Sequence, residues 1–335
     1  MQYKRYFYQI LSVAVLALFT AGYARAQEVD DVVRTETSLV QLNIGVVDKQ
    51  GRAVTSLTKN DFVVYEDGVK QPIQHFEPVD APFSLVLMLD MSGSTINFRQ
   101  QLKLASQRFL DALAPEDRVA VIQFNAEVKS LTGFSQDRQK TAYAIEIAQG
   151  AGETHFYKAL KYALKELEKE GKRRKAIVVL TDGLDTHLRT ADRALLTKAQ
   201  TDEEALAAIK PDASADLNTV LASADRQGVT IYPLALPSGD PRRLPMPTPN
   251  IIGIYAAARA RLQSLADRTG GRLNEINRLE YMAQLYREVA ANLRTLYTVA
   301  YQAKGDSPRG KWHEIKVEVA NSDLTARTKP GYYAR

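Results

Sequence analysis

A chain of 335 residues with 45% apolar and 25% charged side chains has a globular composition, which excludes a disordered, collagenous or low-complexity protein. It has no cysteine, so disulfide frameworks, thiolate metal sites, cysteine nucleophiles and a lipid-modified N-terminal cysteine are excluded as well. The formal charge is +5, and the four histidines (His75, His155, His187 and His313) are too scattered for a His-based zinc site.

The N-terminus reads as an address. Lys4 and Arg5 precede an apolar run from Phe7 to Ala21, and Ala24-Arg25-Ala26 has the small-x-small cleavage pattern. Residues 1–26 are therefore expected to be a signal peptide cut before Gln27, with the mature protein exported to the periplasm or beyond the cell. The alternative is an uncleaved anchor, but the run is short of the roughly 20 residues that span a bilayer. Removing Lys4, Arg5 and Arg25 takes the formal charge from +5 to +2. A near-neutral mature chain gives no electrostatic reason to expect nucleic acid, and no membrane span is expected after cleavage.

After a polar linker, 27–37, residues 38–80 read as strands. Val40, Leu42, Ile44 and Val46 alternate with their neighbours. Phe62 to Tyr65, then Glu66-Asp67-Gly68, then Val69 to Phe76 reads as a hairpin, and Pro72 makes the return an edge strand at best. From Phe83 the pattern changes. Apolar runs at 84–90, 119–124, 175–181, 229–236 and 272–276, with an edge strand at 127–132, alternate with helical segments at 98–113, 137–148, 156–168, 213–227, 255–268 and 279–296. That alternation means βαβ units and a doubly wound, mostly parallel α/β sheet with one antiparallel edge strand. The basic run Lys172-Arg173-Arg174-Lys175 lies in a helix-to-strand turn and reads as solvated surface.

The tail returns to strand character. Tyr297, Val299 and Tyr301 alternate, as do Ile315, Val317 and Val319 after a turn at 305–310, and a last stretch from Leu324 ends in Gly331-Tyr332-Tyr333. Neither β segment, 38–80 or 297–335, is long enough to bury a core by itself. The expected organisation is one small β-sandwich built from both, with an α/β domain at 81–296 inserted in it.

One cluster carries chemistry. The strand at 84–90 runs into Asp90-Met91-Ser92-Gly93-Ser94, and the strand at 175–181 into Thr181-Asp182-Gly183-Leu184-Asp185. Ligands of such sheets bind beyond the carboxyl ends of the strands, so both motifs share an edge, where Gly152-Glu153-Thr154 can add a hydroxyl. Asp90, Ser92, Ser94, Thr154 and Asp182 form an all-oxygen set suited to Mg²⁺, with Mn²⁺ or Ca²⁺ as alternatives, rather than to zinc. The competing reading is that Asp90, Ser92 and Ser94 merely cap a helix, a task that needs only one of them.

These residues are similar to the metal-ion-dependent adhesion site of von Willebrand factor type A domains, over about residues 81–296. The flanking β segments and the GYY ending resemble, more loosely, a bacterial secreted group of such proteins. The resemblance implies that Ser92 and Ser94 bind the metal directly, Thr154 and Asp182 directly or through water, and Asp90 mainly through water. It further implies a non-enzymatic, adhesion-type module in which the ion captures an acidic side chain of a partner protein; no catalytic residues are expected, and the oligomeric state is not implied. The alternatives are a structural protein without metal and a Mg²⁺-dependent hydrolase. The hydrolase would need a second acid two positions after Asp90, where Ser92 stands. Departures from the family pattern are Glu153, expected to face solvent, and Lys158. Asp185 is expected in a loop or behind the ligands, and His187 at the surface. Two long stretches, 187–212 and 237–249, leave strand ends on the same edge, with Arg242 and Arg243 available to acidic partners.

Overall fold

The structure, a computed structural model, describes residues 39–334 apart from 238–239, 241–245, 277, 304–307 and 309. The expected signal peptide and linker, the turn at 305–310 in large part, and Arg242 and Arg243 lie outside the described residues. Among the described residues no helix is long and apolar enough to cross a membrane.

The first strands are β1 (Leu39–Val47), β2 (Phe62–Glu66), β3 (Val69–Gln71) and β4 (Ile73–Glu77). A six-stranded sheet follows, built from β5 (Phe83–Asp90), β6 (Arg118–Phe124), β7 (Val128–Ser135), β8 (Arg174–Thr181), β9 (Val229–Ala235) and β10 (Asn274–Glu275). Its order is β10-β9-β8-β5-β6-β7, parallel throughout except for β7, which runs antiparallel on the edge. The helices are α1 (Arg99–Asp111), α2 (Arg138–Glu146), α3 (Phe156–Glu168), α4 (Thr186–Leu195), α5 (Asp202–Ala208), α6 (Ala215–Gln227), α7 (Pro249–Thr269) and α8 (Met282–Leu293).

β5 is an unbroken apolar run because both its faces are covered. Leu85, Leu87 and Leu89 pack with Leu102 and Phe109 of α1 and Tyr286 of α8. Val86 and Met88 pack with Leu160 of α3, Leu221 of α6 and Leu262 of α7. Each such buried side chain contributes about 1.5–3 kcal/mol, so the sheet's centre is the most stable part of the layer. α7 begins six residues earlier than the apolar pattern suggested. Thr248 accepts a hydrogen bond from the Ile251 N–H (3.4 Å), and Pro249 occupies the first turn, where its missing N–H costs nothing.

The last strands are β11 (Leu296–Gln302), β12 (Trp312–Val319), β13 (Thr325–Arg327) and β14 (Gly331–Tyr333). They interleave with the first four in two sheets, β13-β1-β11-β4 and β14-β12-β2-β3. The first four and last four described strands thus build one sandwich around a shared core that includes Leu42, Ile44, Val64, Tyr297 and Ile315. Pro72 separates β3 from β4, and the two lie on edges of different sheets: the segment read as one return strand is divided at the residue that cannot donate to a ladder.

The basic run corrects the sequence reading. Lys172 is exposed, but Arg174 is fully buried and Lys175 nearly so. Arg174 opens β8 at the end of the sheet nearest the sandwich. Its guanidinium donates to the carbonyls of Pro78 (3.4 Å), Val79 (3.0 Å) and Ala81 (3.0 Å), in the chain crossing from β4 to β5. It also donates to Leu293 (3.2 Å) and Leu296, in the crossing from α8 to β11. Its charge lies 4.0 Å from the centre of the Phe83 ring. Burial pulls its pKa down to about 10, which leaves it cationic at neutral pH. A second fastening is Asn43 of β1, which donates to Gly228 O (3.2 Å) and Thr230 Oγ1 (2.7 Å), while Lys329 pairs with Asp225 of α6 at 2.9 Å.

Candidate functional site

Asp90 ends β5 and is fully buried. Its Oδ1 accepts from the Ser92 N–H (3.0 Å), and its Oδ2 from the Thr181 hydroxyl (2.7 Å). Thr181 in turn accepts from the Gly183 N–H (3.1 Å), so one hydroxyl joins the ends of two adjacent strands. The chain turns sharply after Asp90. Thr95 Oγ1 donates to the carbonyls of Asp90 (2.8 Å) and Ser92 (3.0 Å), and Arg99 donates to Met91 O (2.9 Å) and Ser92 O (3.1 Å). With its backbone tied from behind, this turn sets Ser92 Oγ 3.1 Å from Ser94 Oγ.

The loop carrying Thr154 is fastened to the same turn. Gly93 N–H donates to Gly152 O (3.0 Å), and Asn125 holds Ala151 O (2.9 Å). Gly150 is required by close approach, since a Cβ there would lie 2.8 Å from Met91 O. Thr154 and Thr186 exchange two bonds, Thr186 N–H to Thr154 O (2.9 Å) and Thr154 N–H to Thr186 Oγ1 (3.0 Å). Ser94, Thr154, Leu184, Thr186 and Arg189 line one cavity of about 250 Å³ together with Gly152 and Glu153.

Asp182 follows β8 and is buried. Its Oδ1 accepts from the Leu184 N–H (3.0 Å), whereas its Oδ2 is buried with no hydrogen-bond partner. Burial raises its pKa, against which the nearby Ser94 hydroxyl pulls down. Burial, then the Asp182 charge, pushes Asp90 up to about 7. The two carboxylates thus repel each other in a buried site, with the Arg259 charge offsetting part of that on Asp182. Gly183 makes the turn between them and the helix behind: its φ is +82°, and a Cβ would lie 2.7 Å from Leu262 Cδ1. Gly183→Ala should therefore cost about 2–3 kcal/mol in urea denaturation. A loss under about 0.5 kcal/mol would show the turn to be unconstrained.

Of the five residues expected from sequence, Asp90, Ser92, Ser94 and Asp182 lie together beyond the ends of β5 and β8, and Thr154 shares a cavity with Ser94. Among the described residues no three His, Asp or Glu side chains gather to hold an ion, so hydroxyls would have to complete any cation shell. The set fits such an ion: its donors are all oxygen, and one buried carboxylate oxygen lacks a partner. Residues 85–184 match the sequence profile of the von Willebrand factor type A domain.

The chain contains a von Willebrand factor type A domain.

No curated protein matches the chain. Solved structures similar to it include a von Willebrand factor type A protein from Catenulispora acidiphila, at 12% identity and TM-score 0.47, covering 89% of this chain and 74% of that one. The von Willebrand factor domain of the type V pili tip protein Mfa5 from Porphyromonas gingivalis matches at 15% and 0.47, covering 64% and 95%. Proximal thread matrix protein 1 from the mussel byssus, solved with a zinc-occupied MIDAS motif, matches at 14% and 0.44, covering 67% and 48%.

The domain also uses residues not singled out from sequence. Thr181 and Arg99 fix the backbone, and a Thr before a DG turn is the only signal either leaves. Asp185 caps α4, accepting from the N–H groups of His187 (3.0 Å), Leu188 (3.2 Å) and Tyr157 (3.2 Å). His187 and Glu153 are exposed, and Glu153 lies 3.5 Å from His155.

Proposed function

We propose that the von Willebrand factor type A domain is a protein-binding module rather than an enzyme, and that it holds a divalent cation with which it captures a carboxylate from a partner. Ser92, Ser94, Thr154 and Asp182 would hold the ion, with Asp90 behind them. Mg²⁺ suits the site first, Mn²⁺ and Ca²⁺ being alternatives of the same oxygen-seeking character. The observation that carries this reading is the buried, unpartnered Oδ2 of Asp182 beside the Ser92–Ser94 hydroxyl pair. Hydroxyls bind without cancelling charge, so such an ion would keep its attraction for an outside acid. The proposal extends to the chain's organisation: a signal peptide at 1–26, a linker at 27–37, sandwich segments at 38–80 and 297–335, a domain at 81–296, and export to the periplasm or beyond.

Calorimetry on the mature chain tests the metal. Mg²⁺ should bind the wild type with 1:1 stoichiometry, and Ser92→Ala should weaken it at least about tenfold, the effect of losing one of few ligands. Equal binding by wild type and variant would refute the assignment, and no binding by the wild type would leave a structural role without metal.

A further inference from the structure

The cavity beside Ser94 and Thr154 has one cationic wall. Arg189 lies on α4, in the long segment that follows the TDG turn, and lines the same 250 Å³ space as the two hydroxyl residues. It is exposed, and among the described residues no carboxylate pairs with it. The arginine whose charge reaches Asp182 is differently placed: Arg259 donates to Leu236 O (3.3 Å) and lies 3.7 Å from Glu275. Arg189 has no such engagement.

Its position is nevertheless fixed. One turn further along α4, Asp192 forms a buried bidentate pair with Arg261 of α7, at 2.6 and 2.7 Å. At the other end, Asp185 caps the helix and Thr186 is bonded to Thr154. The helix is thus pinned at both ends, so its guanidinium is presented over the cavity from a rigid support. Breaking a buried pair of this kind is costly, which makes it a strong positional constraint. Glu153, the other charged side chain on the rim, lies beside His155.

We propose that Arg189 is a second anion anchor, selecting a partner motif with two neighbouring carboxylates, one for the ion and one for the guanidinium. This rests on the metal-site reading above. A single acid satisfies the ion and leaves the guanidinium in water. A second acid gains a charge-assisted, fork-shaped pair at little ordering cost on the protein's side. Because Arg189 is exposed, this second contact is screened by salt.

The test uses the Mg²⁺-loaded mature chain and two peptides, Ac-Gly-Asp-Gly-Gly-NH2 and Ac-Gly-Asp-Asp-Gly-NH2, titrated by calorimetry. The wild type should prefer the diacidic peptide about fivefold to tenfold at low ionic strength, and 0.5 M NaCl should erase most of that preference. R189A should bind both peptides equally, and R189K should restore part of the difference. Arg189 is exposed, so the variant should fold; its melting temperature checks this. A diacid preference that survives in R189A, or no preference in the wild type while chelator still abolishes binding of both peptides, overturns the role of Arg189 alone. Peptide binding that is absent with Mg²⁺, or indifferent to chelator, overturns the metal-site reading and this inference with it.

Discussion

Replacing Arg174 with alanine should cost about 3–5 kcal/mol, the largest loss expected from any single side chain outside the apolar core. The wild-type guanidinium holds five carbonyls, three in the crossing into the sheet and two in the crossing out of it. Alanine removes a donor from each of the five, the Leu293 and Leu296 contacts being buried ones, and opens a void over the Phe83 ring. Arg174→Met restores the volume but not the donors and should lie between the two. Arg174→Lys keeps the charge yet cannot fan out to both crossings. Urea denaturation of the three variants checks this order, and a loss under about 1 kcal/mol for Arg174→Ala would show that the clamp does not hold the layers together.

Asp90→Asn should separate two roles of one carboxylate. Burial and the Asp182 charge raise the Asp90 pKa to about 7 in the fold, well above the ordinary carboxylate range. The folded chain therefore binds this proton more tightly than the unfolded chain does. That contribution is complete below about pH 4 and is lost as pH rises through 7, about 4 kcal/mol in all. The asparagine variant has no such dependence. In chelator, its stability relative to wild type should improve by about 2–3 kcal/mol between pH 5 and pH 8. Saturating Mg²⁺ at pH 8 should reverse the order, because an ion compensates two charges in the wild type and finds one fewer in the variant. Thermal melts at both pH values, with and without Mg²⁺, measure each term. A relative stability that stays flat with pH would show the pair to be balanced already.

Much of this architecture could be read from the chain, and the reasons are local. β1 alternates because one face meets the sandwich core; β5 does not alternate because both faces are covered. Asp90 and Asp182 could be placed together because each ends an apolar run in a parallel sheet, a geometry that puts such ends on one edge. Arg174 could not be read this way. In sequence it belongs to a solvated basic run, and only the convergence of two distant crossings on one point supplies the carbonyls that bury it. Pro72 marks a limit on pairing in the sequence alone, but that it divides one apparent strand between two sheets depends on where β11 and β2 lie. Thr181 and Arg189 left no signal strong enough to find, since their roles come from neighbours roughly 90 residues before one and 35 before the other.

The interleaving of first and last strands bears on how the chain is made. β1 and β4 share a sheet but never touch, because β11 lies between them. Wherever the chain folds, these early strands have no one to zip up with, and their greasy edges stay bare until residues 296–302 arrive to join them. A chain cut short before that point would hold a finished α/β layer trailing sticky ribbons, so truncation there should favour aggregation over a soluble fragment.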